Sequence, residues 1–192
     1  MNNLTEFTYI ELKGGTDDFD DSLMIGKGGY GSVYKGFLRH TSVEILSRVR
    51  HPNLVMLVGV CVEAWSLIYE LMPNGSLHDP LSSKKRSKSL TWKQRICIAS
   101  NICSGLIFLH SDKPHGIFHG DLKPANIFLD LNYTGKISDF GICRQLYQTD
   151  MRIMPHHRTD NSKGTLPYMD PEYFHSAELT PQYDCTLLAL YC

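Results

Sequence analysis

Four things are scarce in these 192 residues: long apolar runs, net charge, paired cysteines and a basic leader. The longest apolar run, Leu54 to Val62, is nine residues, well short of the roughly 20 that span a bilayer. No signal peptide is expected either, because Met1-Asn2-Asn3-Leu4-Thr5-Glu6 carries neither a basic nor an apolar region. Lys and Arg number 19 against 20 Asp and Glu, a net charge of -1. That balance excludes generic nucleic-acid binding, which needs surplus cations to displace counterions from phosphates. The six cysteines form no CxxC pair and follow no metal-ligand spacing. They read as reduced, mostly buried thiols, and the expected location is cytoplasmic.

With 42% hydrophobic and 20% charged residues, the chain has material for one core or two small lobes. Residues 22 to 38 read as two strands around a glycine turn, with Leu23, Met24 and Ile25 leading in and Val33, Tyr34, Phe37 and Leu38 following. A second β pair fits Leu54 to Val62 and Leu67 to Leu71, closed by the turn signal Met72-Pro73-Asn74-Gly75. The run Ser82 to Ser89 is basic and without periodicity, as a solvated loop would be. Beyond it Ile96, Ala99, Ile102, Cys103, Leu106 and Leu109 recur at helical spacing, with Thr91 placed to cap and Pro114 past the end. Short apolar pieces broken by Gly, Asp, Asn and Pro from Gly116 to Asp139 suit loops and short strands, and residues 147 to 171 read as a long segment without regular structure.

Two constellations carry chemistry. Gly26-Lys27-Gly28-Gly29-Tyr30-Gly31-Ser32-Val33 is a GxGxxGxV set between two expected strands. Backbone that closes over phosphates has to come within hydrogen-bond range and take dihedrals that a Cβ forbids. A dinucleotide fingerprint is disfavoured, because it should open a helix and Ser32 to Leu38 looks like a strand. The second set is His119-Gly120-Asp121-Leu122-Lys123-Pro124-Ala125-Asn126, followed thirteen residues after Asn126 by Asp139-Phe140-Gly141. Two carboxylates, an amide and a lysine in neighbouring loops match what phosphoryl transfer needs. One carboxylate orients the hydroxyl nucleophile, the lysine offsets charge on the transferred group, and Asn and Asp oxygens suit Mg²⁺.

On these strings the chain resembles the eukaryotic protein kinases from about Phe19 to Asp184. It is especially similar to plant receptor-like cytoplasmic kinases and the kinase domains of plant U-box proteins. Ile25 to Gly36, Glu63 to Tyr69, Pro73 to Leu77, His119 to Asn126 and the closing Gly164-Thr165-Leu166-Pro167-Tyr168-Met169-Asp170-Pro171-Glu172 carry the resemblance. It implies an α+β, bilobal kinase-like fold: residues 1–18 as a flank, a strand-rich N-lobe over about 19–72 and a helical C-lobe over about 73–192. It implies ATP and Mg²⁺ as cofactors and a protein substrate. Asp121 would be the catalytic base and Lys123 the lysine at the transferred phosphoryl, with Asn126 and Asp139 as metal ligands. Gly26, Gly28, Gly31 and Val33 would cover the nucleotide, Tyr69 would be the gatekeeper, and Glu70 to Met72 would read adenine through their backbone. Lys123 two residues after the base, with Thr165 downstream, looks like a serine/threonine kinase. By the same analogy His119 is a packed structural histidine, and the spacing of His110, His115 and His119 is coincidental rather than metal-binding. A parent molecule associated with ubiquitination is a further implication.

Three departures qualify the resemblance. Gly120 stands where the family's HRD motif has arginine, a non-RD pattern that removes the usual partner for a phosphate on Thr149, Thr159 or Ser162. No lysine occurs between Lys35 and Lys84, and Ser42 falls where the family's C-helix glutamate belongs, as though the third strand and the front of that helix were excised. Two hairpins with unjoined edges are the expected result. Finally, only eight residues follow Asp184, which matches the aspartate opening the family's F helix, so exposed apolar surface on the 96–109 helix is expected. A two-lobed kinase domain takes roughly 250 residues, at the large end for one domain. The alternative expectation is therefore a catalytically impaired pseudokinase or a shortened form of a U-box kinase.

Overall fold

The computed structural model describes residues 5–28, 31–38, 50–82, 90–111, 116–140, 144–145, 157–158, 178–179 and 184. The chain divides into two compact units, one of Met1–Arg50 with Met56–Leu71 and one of His51–Val55 with Met72–Cys192. The expectations for Ser42, for the loop at 83–89 and for Thr149, Thr159, Ser162, Thr165 and Glu172 lie outside the described residues.

In the first unit the glycine-rich stretch forms a hairpin of β2 (Met24–Gly28) and β3 (Gly31–Tyr34), with β1 (Thr5–Glu6) and α1 (Tyr9–Gly15) ahead of it. Thr8 caps α1 through a capping box: Glu11 N–H donates to Thr8 Oγ1, and Thr8 N–H donates to Glu11 Oε2. The second hairpin is β4 (Leu57–Cys61) and β5 (Ser66–Tyr69), slightly shorter than the apolar runs that announce it. β1 adds to β4 in parallel, giving the order β1-β4-β5, while β2 and β3 form a separate two-stranded sheet. Among the described residues no strand pairs with both hairpins. Residues 1–18, set apart on sequence as a flank, contribute Phe7 and Leu12 to a core with Cys61.

The second unit is built on α3 (Trp92–His110), preceded by the short α2 (His78–Ser82). Thr91 caps α3 in a capping box with Gln94, so the start expected from the sequence is met. Ile98, Ile102, Leu106 and Leu109 are buried along one face, which packs on the hairpin of β7 (Ile127–Leu129) and β8 (Gly135–Ile137). β6 (Ile117–Phe118) pairs with β9 (Arg144–Gln145), and β10 (His157–Arg158) pairs with β11 (Glu178–Leu179). Asn53 reaches from the 51–55 segment to donate from Nδ2 to the Gly135 carbonyl, and Val55 N–H donates to the Ile137 carbonyl. A second apolar stripe on α3, Trp92, Ile96 and Ile107, is exposed. These residues share one side of the helix at its 3.6-residue period; of the face expected to lie open, Ile96 is exposed whereas Ile102, Leu106 and Leu109 are buried, because the β7–β8 hairpin covers them.

Candidate active site

The loop between β6 and β7 gathers the chemistry-bearing residues. Pro124–Asn126 is a 3₁₀ turn with Pro124 at its start, where a missing N–H costs nothing. That turn folds Asn126 back on the loop: its Nδ2 donates to the Asp121 carbonyl at 2.8 Å and to Asp121 Oδ2 at 3.2 Å. Lys123 Nζ donates to the same Asp121 Oδ2 at 2.6 Å, a charge-assisted bond between half-buried groups. The Lys123 ammonium and the Asn126 amide therefore meet at one oxygen of the Asp121 carboxylate.

Asp139 is tied to this loop through its neighbour. Ser138 donates to the Asn126 carbonyl from both its backbone N–H, at 2.9 Å, and its hydroxyl, at 3.0 Å. The next residue, Asp139, is exposed and stands at φ 63°, a left-handed conformation that a non-glycine residue adopts at some cost. Asn126 Nδ2 makes two contacts with Asp121, to its carbonyl and to Oδ2, and the side-chain oxygens of Asn126 and Asp139 are of the hard-donor type that Mg²⁺ takes.

Beneath the loop lies a buried ionic anchor that the sequence reading missed. Asp184, 0% exposed, accepts from His119 N–H at 2.9 Å through Oδ2 and from Gly120 N–H at 3.0 Å through Oδ1. His110, from the last turn of α3, bonds Asp184 Oδ2 through Nε2 at 2.9 Å, and its ring meets Phe118 edge-on. His119, also 0% exposed, bonds the Ser138 carbonyl through Nε2 at 2.7 Å and lies edge-on to Phe140. The His110 ring and the His119 backbone N–H thus share Asp184, His115 lies outside the described residues, and among those residues no cluster of His, Cys, Asp and Glu could hold a metal. Gly120 stands at φ 79°, where a side chain would be strained, so the residue that breaks the HRD pattern is also the one this backbone favours. Asp184 itself was visible in the sequence; its partner His110 would have required knowing that two loops and a helix end converge.

The remaining expected site residues sit elsewhere. Gly26 pairs with Val33 and Gly28 with Gly31 across the first hairpin, and Gly29 and Tyr30 at its turn lie outside the described residues. Tyr69 ends β5 opposite Leu57, and Glu70 is locked to Met56, donating from its N–H to the Met56 carbonyl and accepting Met56 N–H on Oε1. The division between the two units falls between Leu71 and Met72, within the 70–72 segment expected to read adenine.

A carboxylate, lysine and amide held in one braced loop, followed by a second carboxylate, define the class: a phosphoryl-transfer domain of the protein-kinase kind. Comparison with known proteins agrees. The family model for protein tyrosine and serine/threonine kinase matches residues 37–186, and the chain belongs to that family. It is 46% identical to U-box domain-containing protein 33 of Arabidopsis thaliana over 200 residues, covering 94% of this chain and 24% of that protein. To U-box domain-containing protein 70 of Oryza sativa subsp. japonica it is 48% identical, over 93% of this chain and 25% of that protein. The chain thus spans about a quarter of the length of these curated relatives. Spreading 94% of 192 residues over 200 aligned positions leaves about 20 positions of the Arabidopsis protein without a counterpart here. A shortfall of that order accommodates a strand of about 5–6 residues with its connection and a few helical turns.

Proposed function

We propose that the chain is a serine/threonine-type protein kinase domain of the non-RD kind, with Asp121 as base, Lys123 at the transferred phosphoryl, and Asn126 and Asp139 holding Mg²⁺ of Mg-ATP. The observation that carries this reading is the convergence of Lys123 Nζ and Asn126 Nδ2 on Asp121 Oδ2, in a loop braced from below by Asp184. Such preorganisation matters because a base has to present its oxygen to the substrate hydroxyl without reorganising first. Lys123, paired to the base, sits where it offsets negative charge arriving with the phosphoryl group. Gly26, Gly28, Gly31 and Val33 are the residues assigned to cover the nucleotide, and the backbone of Glu70 and Met72 to read its base.

A second reading rests on the lysine gap from Lys35 to Lys84 and on Ser42. Losing one preorganised charge contact costs about 2.7–4 kcal/mol of transition-state stabilisation, or roughly 10²–10³ in rate. The chain would then hold Mg-ATP with transfer strongly slowed. Both readings place the domain in the cytoplasm, acting on protein substrates, and associate its full-length parent with ubiquitination through the U-box named in its relatives. No helix among the described residues is long and apolar enough to cross a membrane.

The test is a pair of measurements on one preparation. Mg-ATP should raise the melting temperature, and labelled phosphate should pass to a generic protein substrate. Asp121→Asn should cut transfer by about 10²–10⁴ while leaving the thermal shift in place. A shift without Asp121-dependent transfer selects the second reading, and no shift at all overturns both.

A further inference from the structure

The two hairpins of the first unit share no strand among the described residues, yet residues 5–20 touch both. On one side β1 pairs with β4, Phe7 N–H donates to the Val60 carbonyl at 2.8 Å, and Tyr9 N–H donates to Glu63 Oε2 at 3.0 Å. Phe7 and Thr5 lie so close to Gly59 that any Cβ there would overlap them, so β4 is shaped to receive this segment. On the other side the Gly15 carbonyl accepts Phe37 N–H at 2.9 Å. Two glycines allow that approach: a Cβ on Gly15 would stand 2.7 Å from Leu38, and one on Gly36 would stand 2.8 Å from the Gly15 carbonyl. Phe19 stacks on Tyr9 and meets Tyr34 of β3 edge-on at 5.6 Å. Phe19 and Leu38 also pack on the buried cluster of Phe7, Leu12 and Cys61, together with Val58, Ala64 and Ile68.

We infer that residues 5–20 are a clamp that positions the glycine hairpin, joining it to the β1-β4-β5 sheet where no strand among the described residues does so. Close glycine contacts occur at both ends of the segment, on Gly59 and on Gly36, which is what a two-sided joint requires and a loose flank does not. The device makes the glycine hairpin answerable to whatever happens at Thr5–Glu6. Peeling β1 from β4 withdraws Phe7, unseats Leu12 and Phe19 from their shared cluster, and removes the support of Tyr34 and Phe37. This inference stands on packing alone and does not depend on nucleotide binding.

Hydrogen–deuterium exchange on the full chain tests it. Phe7→Ala and Gly59→Val act at the far end of the clamp, and Gly14→Ala, at a position with nothing within 4 Å, is the control. Both far-end variants should speed exchange of the β2 and β3 amides, and of Lys35 N–H bonded to the Leu23 carbonyl, by about tenfold or more, leaving α3 unchanged. Faster exchange confined to β1 and β4, with the glycine hairpin as protected as before, would overturn the proposal. Should a variant lose protection throughout the chain, the unsubstituted protein under low urea decides. Phe7 and Lys35 amides opening together at one urea concentration supports the clamp, and Phe7 opening first while Lys35 stays protected refutes it.

Discussion

The loop that carries Asp121 and the hairpin that carries the glycines are held in opposite ways. Asp121 lies beside residues gripped by a buried carboxylate: Asp184 gathers the backbone N–H groups of His119 and Gly120 and the His110 ring, from two other places in the chain. Among the described residues, the glycine hairpin is held by its own ladder and by contacts with the segment ahead of it. A buried charge fixes its partners because leaving any of them unsatisfied is expensive, whereas apolar contacts and single backbone bonds can be exchanged for others. The geometry of the Asp121 loop is therefore tied to one position, Asp184, while the glycine hairpin depends on many weak ones.

The largest expected effect follows from that single position. Asp184→Ala removes the acceptor for His119 N–H, Gly120 N–H and His110 Nε2 at a site with 0% exposure. Breaking such a buried set costs about 3–5 kcal/mol, read as a fall in the urea midpoint of the second unit. Asp184→Asn should cost less, because one oxygen remains to accept an N–H. Protection of the β2–β3 amides should be unchanged in both variants. Loss of that protection to the same extent as in α3 would erase the contrast between the two regions.

How much of this was legible beforehand depends on how local the signal is. The Thr91 cap and the 3.6-residue recurrence through Ile96, Ala99, Ile102, Cys103, Leu106 and Leu109 are read along a single stretch, and α3 appears where they place it, with its buried face turned to Ile98, Ile102, Leu106 and Leu109 while Ile96 and Cys103 are exposed. The grouping of Asp121, Lys123 and Asn126 is likewise local, because the Pro124–Asn126 turn brings Asn126 and Lys123 to Asp121 over short separations. The lysine gap from Lys35 to Lys84 led to the expectation of two unjoined hairpins, and among the described residues no strand pairs with both. What stayed hidden depends on long-range closure. His110 meeting Asp184 across 74 residues, and Thr5–Glu6 pairing in parallel with Gly59–Val60, leave no periodic trace in either partner. Two-residue strands are too short for alternation to register.

A smaller effect compares the two helix starts. Thr8 and Thr91 each close a capping box, with Glu11 and with Gln94. Replacing either by Ala should cost about 1 kcal/mol. The reach of the loss should differ. Thr91→Ala acts on a helix of 19 residues with five buried positions, so its cost should appear as a lowered midpoint of the second unit with no local opening. Thr8→Ala acts on a helix of 7 residues with one buried position, Leu12, which cannot persist without its cap and tertiary contacts. Its loss should appear as faster exchange at Thr16 N–H and Phe37 N–H. Equal, purely global shifts for both variants would show that the first unit is as cooperative as the second.

The smallest effect concerns two carboxylates that organise turns, one in each unit. Partial burial pushes the Asp130 carboxyl up, but it accepts the backbone N–H of Thr134 and of Asn132, each at 2.8 Å, with added help from the Thr134 side chain and the Lys136 charge; the net result is below its ordinary value of 3.8. Asp20 is also lowered, by the side chain and backbone N–H of Ser22. A carboxyl lowered in the folded state contributes stability that is fully present above the unfolded value and fades as pH falls through the folded one. The turn joining β7 to β8 should therefore keep its protection at pH 6 and lose part of it as the solution is taken below about 4. Thr134 N–H exchange, corrected for the intrinsic pH dependence, reads this directly. Asp130→Asn should weaken the turn at pH 6 and flatten the dependence, since an amide oxygen accepts less strongly than a carboxylate and does not titrate in this range. Ser22 N–H should follow the same direction. However, its turn has no buried residue, so acid should release it without loosening β2, whereas at Asp130 the release should extend to Gly135 and the end of β8 facing α3.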